Sequence, residues 1–201
     1  MNYIFLDIDG VLLPSRQLLL KQNRKITRAN FREVMPIFDP IAVQMFNLWA
    51  RYSNAEIVFA TNWHPNVSKK RLKKIMKKNG LKLNYHKDCV TPKKFTSARG
   101  NEIAWWLQEY AKDGDKYLIV DDMDCSYVED SMKHYKKNVT GKWLEIEASN
   151  GITLQNFYDG CETLDIDMED IDEQEFGIKR LTAEEKQKRE DALEMLMSCM
   201  V

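Results

Sequence analysis

No apolar run in this chain approaches the roughly 20 residues that a membrane-spanning helix needs, so no segment reads as integral to a bilayer. The N-terminus enters a strand-like pattern at once, without the basic stretch and apolar core of a secretory leader. Cys89, Cys125, Cys161 and Cys199 are scattered, with no C-x-x-C pair and no paired histidines, which offers neither a zinc site nor a disulfide framework. No internal repeat is visible. These absences lead us to expect a reduced, cytoplasmic protein. The 201 residues, 44% hydrophobic and 30% charged, suffice for one soluble domain with a full core and a short appendage.

The net charge of -1 conceals a strong asymmetry. Residues 51–100 hold thirteen Lys and Arg against two acids, whereas residues 151–201 hold five against fourteen. Segregation on this scale fits an anionic partner for the basic part; a solvated basic helix balanced by an acidic tail is the simpler alternative.

Along the chain, "YIFLDID" reads as a buried strand, being apolar or aromatic up to Asp7. Residues 13–38 are polar and basic and read as a loop or flap with one short helix. Asp39 caps a helix that begins at Pro40. "EIVFAT" is a second buried strand, followed by the turn "NWHPNV". "SKKRLKKIMKKNG" is a helix with an apolar face of Leu72, Ile75 and Met76, closed by Gly80. "LKLNYH" is a short third strand. The next helix is capped by Ser97, with Ile103, Ala104, Trp106, Leu107 and Tyr110 facing the core. "KYLIVDD" is another buried strand, "KWLEIEA" the last, and "TLQNFYDGCETL" a helix. The alternation predicts an α/β, Rossmann-like, three-layer fold with a mostly parallel central sheet and no large cap domain. We expect a domain over 1–164, including the 13–38 flap. Residues 165–201 would form an acidic linker and a helix capped by Thr182, whose stripe of Leu181, Ala192, Leu193, Leu196 and Met197 could dock on the domain or pair with another chain.

Three predicted strands end in chemically apt groups: Asp7 with Asp9, Thr61, and Asp121 with Asp122. Ligands of open α/β sheets bind beyond the carboxyl ends of the strands. If these strands are neighbours, four carboxylates and a hydroxyl converge. Gly10 permits the turn that brings Asp9 round towards Asp7. Such a cluster repels itself unless it holds a cation, and oxygen-only ligands suit Mg²⁺ rather than zinc.

These motifs resemble the haloacid dehalogenase-like (HAD) phosphohydrolase superfamily. "DIDGVL" (Asp7, Asp9, Gly10, Val11, Leu12) matches its first motif, the strand ending in Thr61 its second, and the strand ending in Asp121 and Asp122 its fourth. The third motif usually supplies a Lys; "RGNEI" places Arg99 in that register, with Lys93 and Lys94 as alternative cations. Arg is physically suited, since its planar fork can hold two phosphate oxygens. The resemblance spans about residues 1–164. "FATNWH", "RGNEIAWWL", "YLIVDD" and "NGIT" are further similar to the capless HAD domains associated with RNA-repair proteins in many phage and bacterial chains.

The resemblance implies a Mg²⁺-dependent phosphomonoester hydrolase. Asp7 would be the nucleophile and Asp9 the acid–base partner. Thr61 and Arg99 would hold phosphoryl oxygens. The metal would be held by Asp7, the main-chain carbonyl of Asp9, Asp121 and, in its outer shell, Asp122. Gly10, Asn62, Trp63, His64, Lys69 and Lys70 are the candidate substrate contacts. Trp63 offers base stacking or simple loop packing, and His64 leaving-group assistance or a helix start before Pro65. Lys69, Lys70 and the rest of the Lys-rich helix suit a nucleotide or nucleic-acid end. A small-metabolite phosphatase, and a nucleic-acid- or partner-binding module with a vestigial site, are the alternatives.

Overall fold

The buried apolar stretches become five strands: β1 (Asn2–Leu6), β2 (Glu56–Phe59), β3 (Asn84–Val90), β4 (Lys116–Asp121) and β5 (Thr140–Glu145). They form one sheet of order β3-β2-β1-β4-β5 in which every pairing is parallel. The computed structural model describes residues 1–25, 34–64, 66–92, 98–125, 127–133, 137–176, 182–188 and 191. Among the described residues the strands are accompanied by helices α1 (Pro40–Ser53), α2 (Lys69–Lys78), α3 (Arg99–Tyr110), α4 (Tyr127–Met132), α5 (Leu154–Thr163) and α6 (Met168–Phe176). The result is an α/β, Rossmann-like architecture, and no cap domain is present among the described residues.

Strand pleating decides which side chains meet which helix. Tyr3 and Phe5 of β1, Val58 of β2, and Tyr117 and Ile119 of β4 lie on one face, packed with Ile103, Trp106 and Leu107 of α3 and Val128 of α4. On the other face, Trp49 of α1 stacks on Phe157 of α5 at 5.7 Å and donates its indole N–H to the Phe157 carbonyl. Asp39 caps α1 as expected, accepting from the Ile41 N–H, and its carboxylate is paired with Arg16 from the flap. Ser68 caps α2, and Gly80 at φ +87° ends it, with Leu81 N–H returning to the Met76 carbonyl.

The differences from expectation have local causes. The flap carries two 3₁₀ turns, Ser15–Leu19 and Asn23–Lys25. The third strand begins at Asn84 rather than Leu81, because the Schellman turn at Gly80 uses the first residues of that apolar run. Ser97, expected to cap α3, lies outside the described residues; Ala98 occupies the cap position without a side-chain bond. The six-residue α4 is too short and polar to show a helical stripe in sequence. The acidic segment expected as a linker contains α6, where Ile171 is buried and the Asp167 carboxylate accepts from the Glu169 N–H.

The chain divides into two compact units, Met1–Ile166 and Asp167–Val201. In the second, Thr182 and Glu185 form a reciprocal capping box. The apolar stripe of Leu181, Ala192, Leu193, Leu196 and Met197 lies outside the described residues. No described helix is long and apolar enough to cross a membrane.

Candidate active site

Because β1 lies between β2 and β4, the residues that follow these three strands share one edge of the sheet. The pleat that turns Phe5 and Ile119 toward α3 also turns Asp7 and Asp121 toward it, two residues further on. Arg99 is the first residue of α3 and meets both acids. Its Nη1 donates to Asp121 Oδ2 at 2.7 Å and lies 3.7 Å from Asp7 Oδ1. The Thr61 side chain, which follows β2, lies beside Asp7 and favours its carboxylate form. Asp7, Thr61, Arg99 and Asp121 are all buried. Asp7, Thr61 and Asp121, expected from three separate strands, thus meet, with Arg99 as their cation. Lys93 and Lys94 lie outside the described residues.

The electrostatics follow from burial. Loss of solvent, and then the neighbouring Asp121 charge, push the Asp7 carboxyl up to about 8 from an ordinary 3.8; Arg99, the Ile8 N–H and Thr61 oppose this. Asp121 is raised by burial against the pull of Arg99 and the Met123 N–H. Asp122 is raised by burial and by Asp121. Burial works against the Arg99 charge, yet Asp7 and Asp121 together raise it. Asp7 Oδ1 and Arg99 Nη2 are among the buried side-chain atoms that have no hydrogen-bond partner among the described residues. One seeks a cation and the other an anion.

Asp7, Asp121 and Asp122 each present a carboxylate oxygen, all within 4.8 Å of one another. This oxygen-only set with an unsatisfied Asp7 Oδ1 fits a hard divalent cation such as Mg²⁺. The Asp9 carboxylate is not among these three; burial raises it, and the Trp63 N–H opposes. Gly10 turns the chain at φ +74°, and a Cβ there would stand 2.3 Å from Asp122 Oδ2. No side chain larger than hydrogen fits beside that acid.

Trp63 and His64, expected to overhang the crevice, are buried and half-buried respectively. Trp63 is 6% exposed and donates its indole N–H to Asp9 Oδ2 at 2.8 Å. Asn62, Lys69 and Lys70 are exposed and make no hydrogen bond to the acids among the described residues. Cys125, four residues after Asp121, is buried, and its thiol is raised by burial and then by the Asp121 charge.

No curated protein and no solved structure shows a significant match to the chain. A family model described as the HAD domain in Swiss Army Knife RNA repair proteins matches residues 3–157. The strand-end acids, the hydroxyl after β2 and the cation opening α3 therefore sit within a recognised frame, and the chain belongs to this HAD domain family.

Proposed function

We propose that this domain hydrolyses phosphomonoesters through a covalent phosphoryl intermediate on Asp7, acting on nucleotide or nucleic-acid-end phosphates. The observation that carries the reading is that Asp7 and Arg99, an ion pair at 3.7 Å, each keep a buried atom without a hydrogen-bond partner, Asp7 Oδ1 and Arg99 Nη2. A phosphoryl group with a divalent cation would satisfy both. Mg²⁺, held by the carboxylates of Asp7, Asp121 and Asp122 with the Asp9 main-chain carbonyl, would neutralise charge on the phosphoryl oxygens and on the acids.

In the first step, an Asp7 oxygen forms a bond to phosphorus as the bond to the leaving oxygen breaks. The leaving oxygen keeps that electron pair and takes a proton from Asp9. In the second, water attacks the same phosphorus and passes a proton to Asp9, releasing inorganic phosphate and free Asp7. Arg99 Nη2 and the Thr61 hydroxyl hold phosphoryl oxygens through both steps. Nη1 stays on Asp121, so the guanidinium is aimed before substrate arrives.

Two observations support a polymeric substrate. The family description concerns RNA repair proteins. On α2, which follows the Thr61 loop, Lys69, Lys70, Lys74, Lys77 and Lys78 are exposed and have no ion-pair partner among the described residues. Such a row attracts phosphates without reading sequence. The test compares phosphate release from 3′- or 5′-phosphorylated oligonucleotides and from mononucleotides, with and without Mg²⁺, across salt. We expect Mg²⁺-dependent release that Asp7→Asn abolishes, and steeper salt dependence for the polymer. Reversing Lys69, Lys70 and Lys74 to Glu should flatten that slope. Equal, salt-insensitive rates would favour a small-metabolite phosphatase, and no release from any ester would leave a binding module.

A further inference from the structure

Two hydrogen bonds from Trp63 join Thr61, which lies beside Asp7, to Asp9. The main-chain N–H of Trp63 donates to Thr61 Oγ1 at 3.3 Å, and its indole Nε1–H donates to Asp9 Oδ2 at 2.8 Å. Trp63 is itself fixed, since its carbonyl accepts from the Val67 N–H at 2.9 Å and its side chain is buried. The Asp9 backbone is fixed separately: Gly10 N–H donates to the Leu13 carbonyl at 3.1 Å, and Asp9 bridges to Leu13. The Asp9 side chain nevertheless reaches solvent, so its carboxyl orientation depends on the indole bond.

We propose that Trp63 is a positioning residue for Asp9 rather than a platform for a substrate base. An indole N–H can only donate, so Oδ2, which receives it, serves as the acceptor oxygen of the carboxyl. A proton carried by Asp9 then sits on Oδ1, the oxygen left to face the leaving group. Because the main chain of the same residue is tied to Thr61, which lies beside Asp7, one turn between β2 and α2 places the Asp9 carboxyl relative to Asp7. A 6% exposed ring leaves little face for stacking. This inference rests on Asp9 as the acid of the proposed reaction.

A leaving group of low basicity departs without a proton, whereas an alkoxide-like one needs the acid. The test therefore measures kcat/KM on 4-nitrophenyl phosphate and on a nucleoside monophosphate for the parent, Trp63→Phe and Asp9→Ala. We expect Trp63→Phe to lose about tenfold or more on the nucleotide and to stay within about twofold on the aryl ester. Equal losses on both esters, or a nucleotide loss confined to KM, would overturn the proposal. If Trp63→Phe does not fold by thermal melting, benzothienylalanine placed at position 63 keeps the ring shape and removes only the N–H; the same split is expected and its absence overturns the proposal. Asp9→Ala separates the two levels. A split there with none at Trp63 sinks the positioning role alone, and no split in either sinks the acid assignment as well.

Discussion

Replacing Asp7 by Asn should stabilise the metal-free protein, and more so as pH rises. The Asp7 carboxyl is pushed from 3.8 up to about 8 in the folded chain by burial and by Asp121. Between those values the folded chain holds a proton that the unfolded chain has released, so stability is greatest at low pH and is lost as pH rises towards 8. A gap of about 4 units, at about 1.4 kcal/mol each, gives a ceiling of about 6 kcal/mol. Asp121 is raised by the same burial, so the penalty belongs to the pair and the substitution removes part of it. Relief of only a third, about 2 kcal/mol, raises Tm by about 4–8 °C in a domain of this size. The assay is thermal unfolding of parent and Asp7→Asn proteins in chelator at pH 5 and pH 8. The Asn protein should gain over the parent at pH 8 and much less at pH 5. Added Mg²⁺ should raise the parent Tm and leave the Asn protein nearly unchanged. The same difference at both pH values, or a parent that gains stability towards pH 8, would refute the reasoning.

Arg99→Met should destabilise the fold by about 3–5 kcal/mol at neutral pH, read by urea unfolding, because it leaves Asp7 and Asp121 buried without a cation. Arg99→Lys restores the charge and should recover most of that stability, while raising KM because one point charge replaces the fork. Gly10→Ala places a Cβ 2.3 Å from Asp122 Oδ2 at a backbone angle that disfavours side chains, so Mg²⁺ affinity measured by calorimetry should fall at least tenfold.

The central strands were readable because a parallel sheet buries both faces and leaves near-continuous apolar runs at β1, β2 and β4. Their neighbourhood was only a condition in the sequence; the order β2-β1-β4 supplies it, and with it the meeting of Asp7, Thr61 and Asp121. β3 was harder, since on a sheet edge its exposed Asn84 and Lys87 alternate with buried His86 and Cys89. α6 was hidden because one buried Ile171 among many acids makes no stripe. Arg99 was legible by register, but its division between a bond to Asp121 and an unsatisfied Nη2 depends on where α3 begins in space. The bond from Trp63 to Asp9 joins residues 54 apart through two loops, and no periodicity encodes it.

Borohydride trapping during turnover tests the central claim most directly, because it reduces an acyl phosphate to an alcohol and marks the carboxyl that carried it. Peptide mass spectrometry of the quenched protein should find homoserine at position 7, only with Mg²⁺ and substrate present, and not in the Asp7→Asn protein. Reduction at Asp9 or Asp121 instead, or steady phosphate release with every aspartate unmodified, would contradict the account.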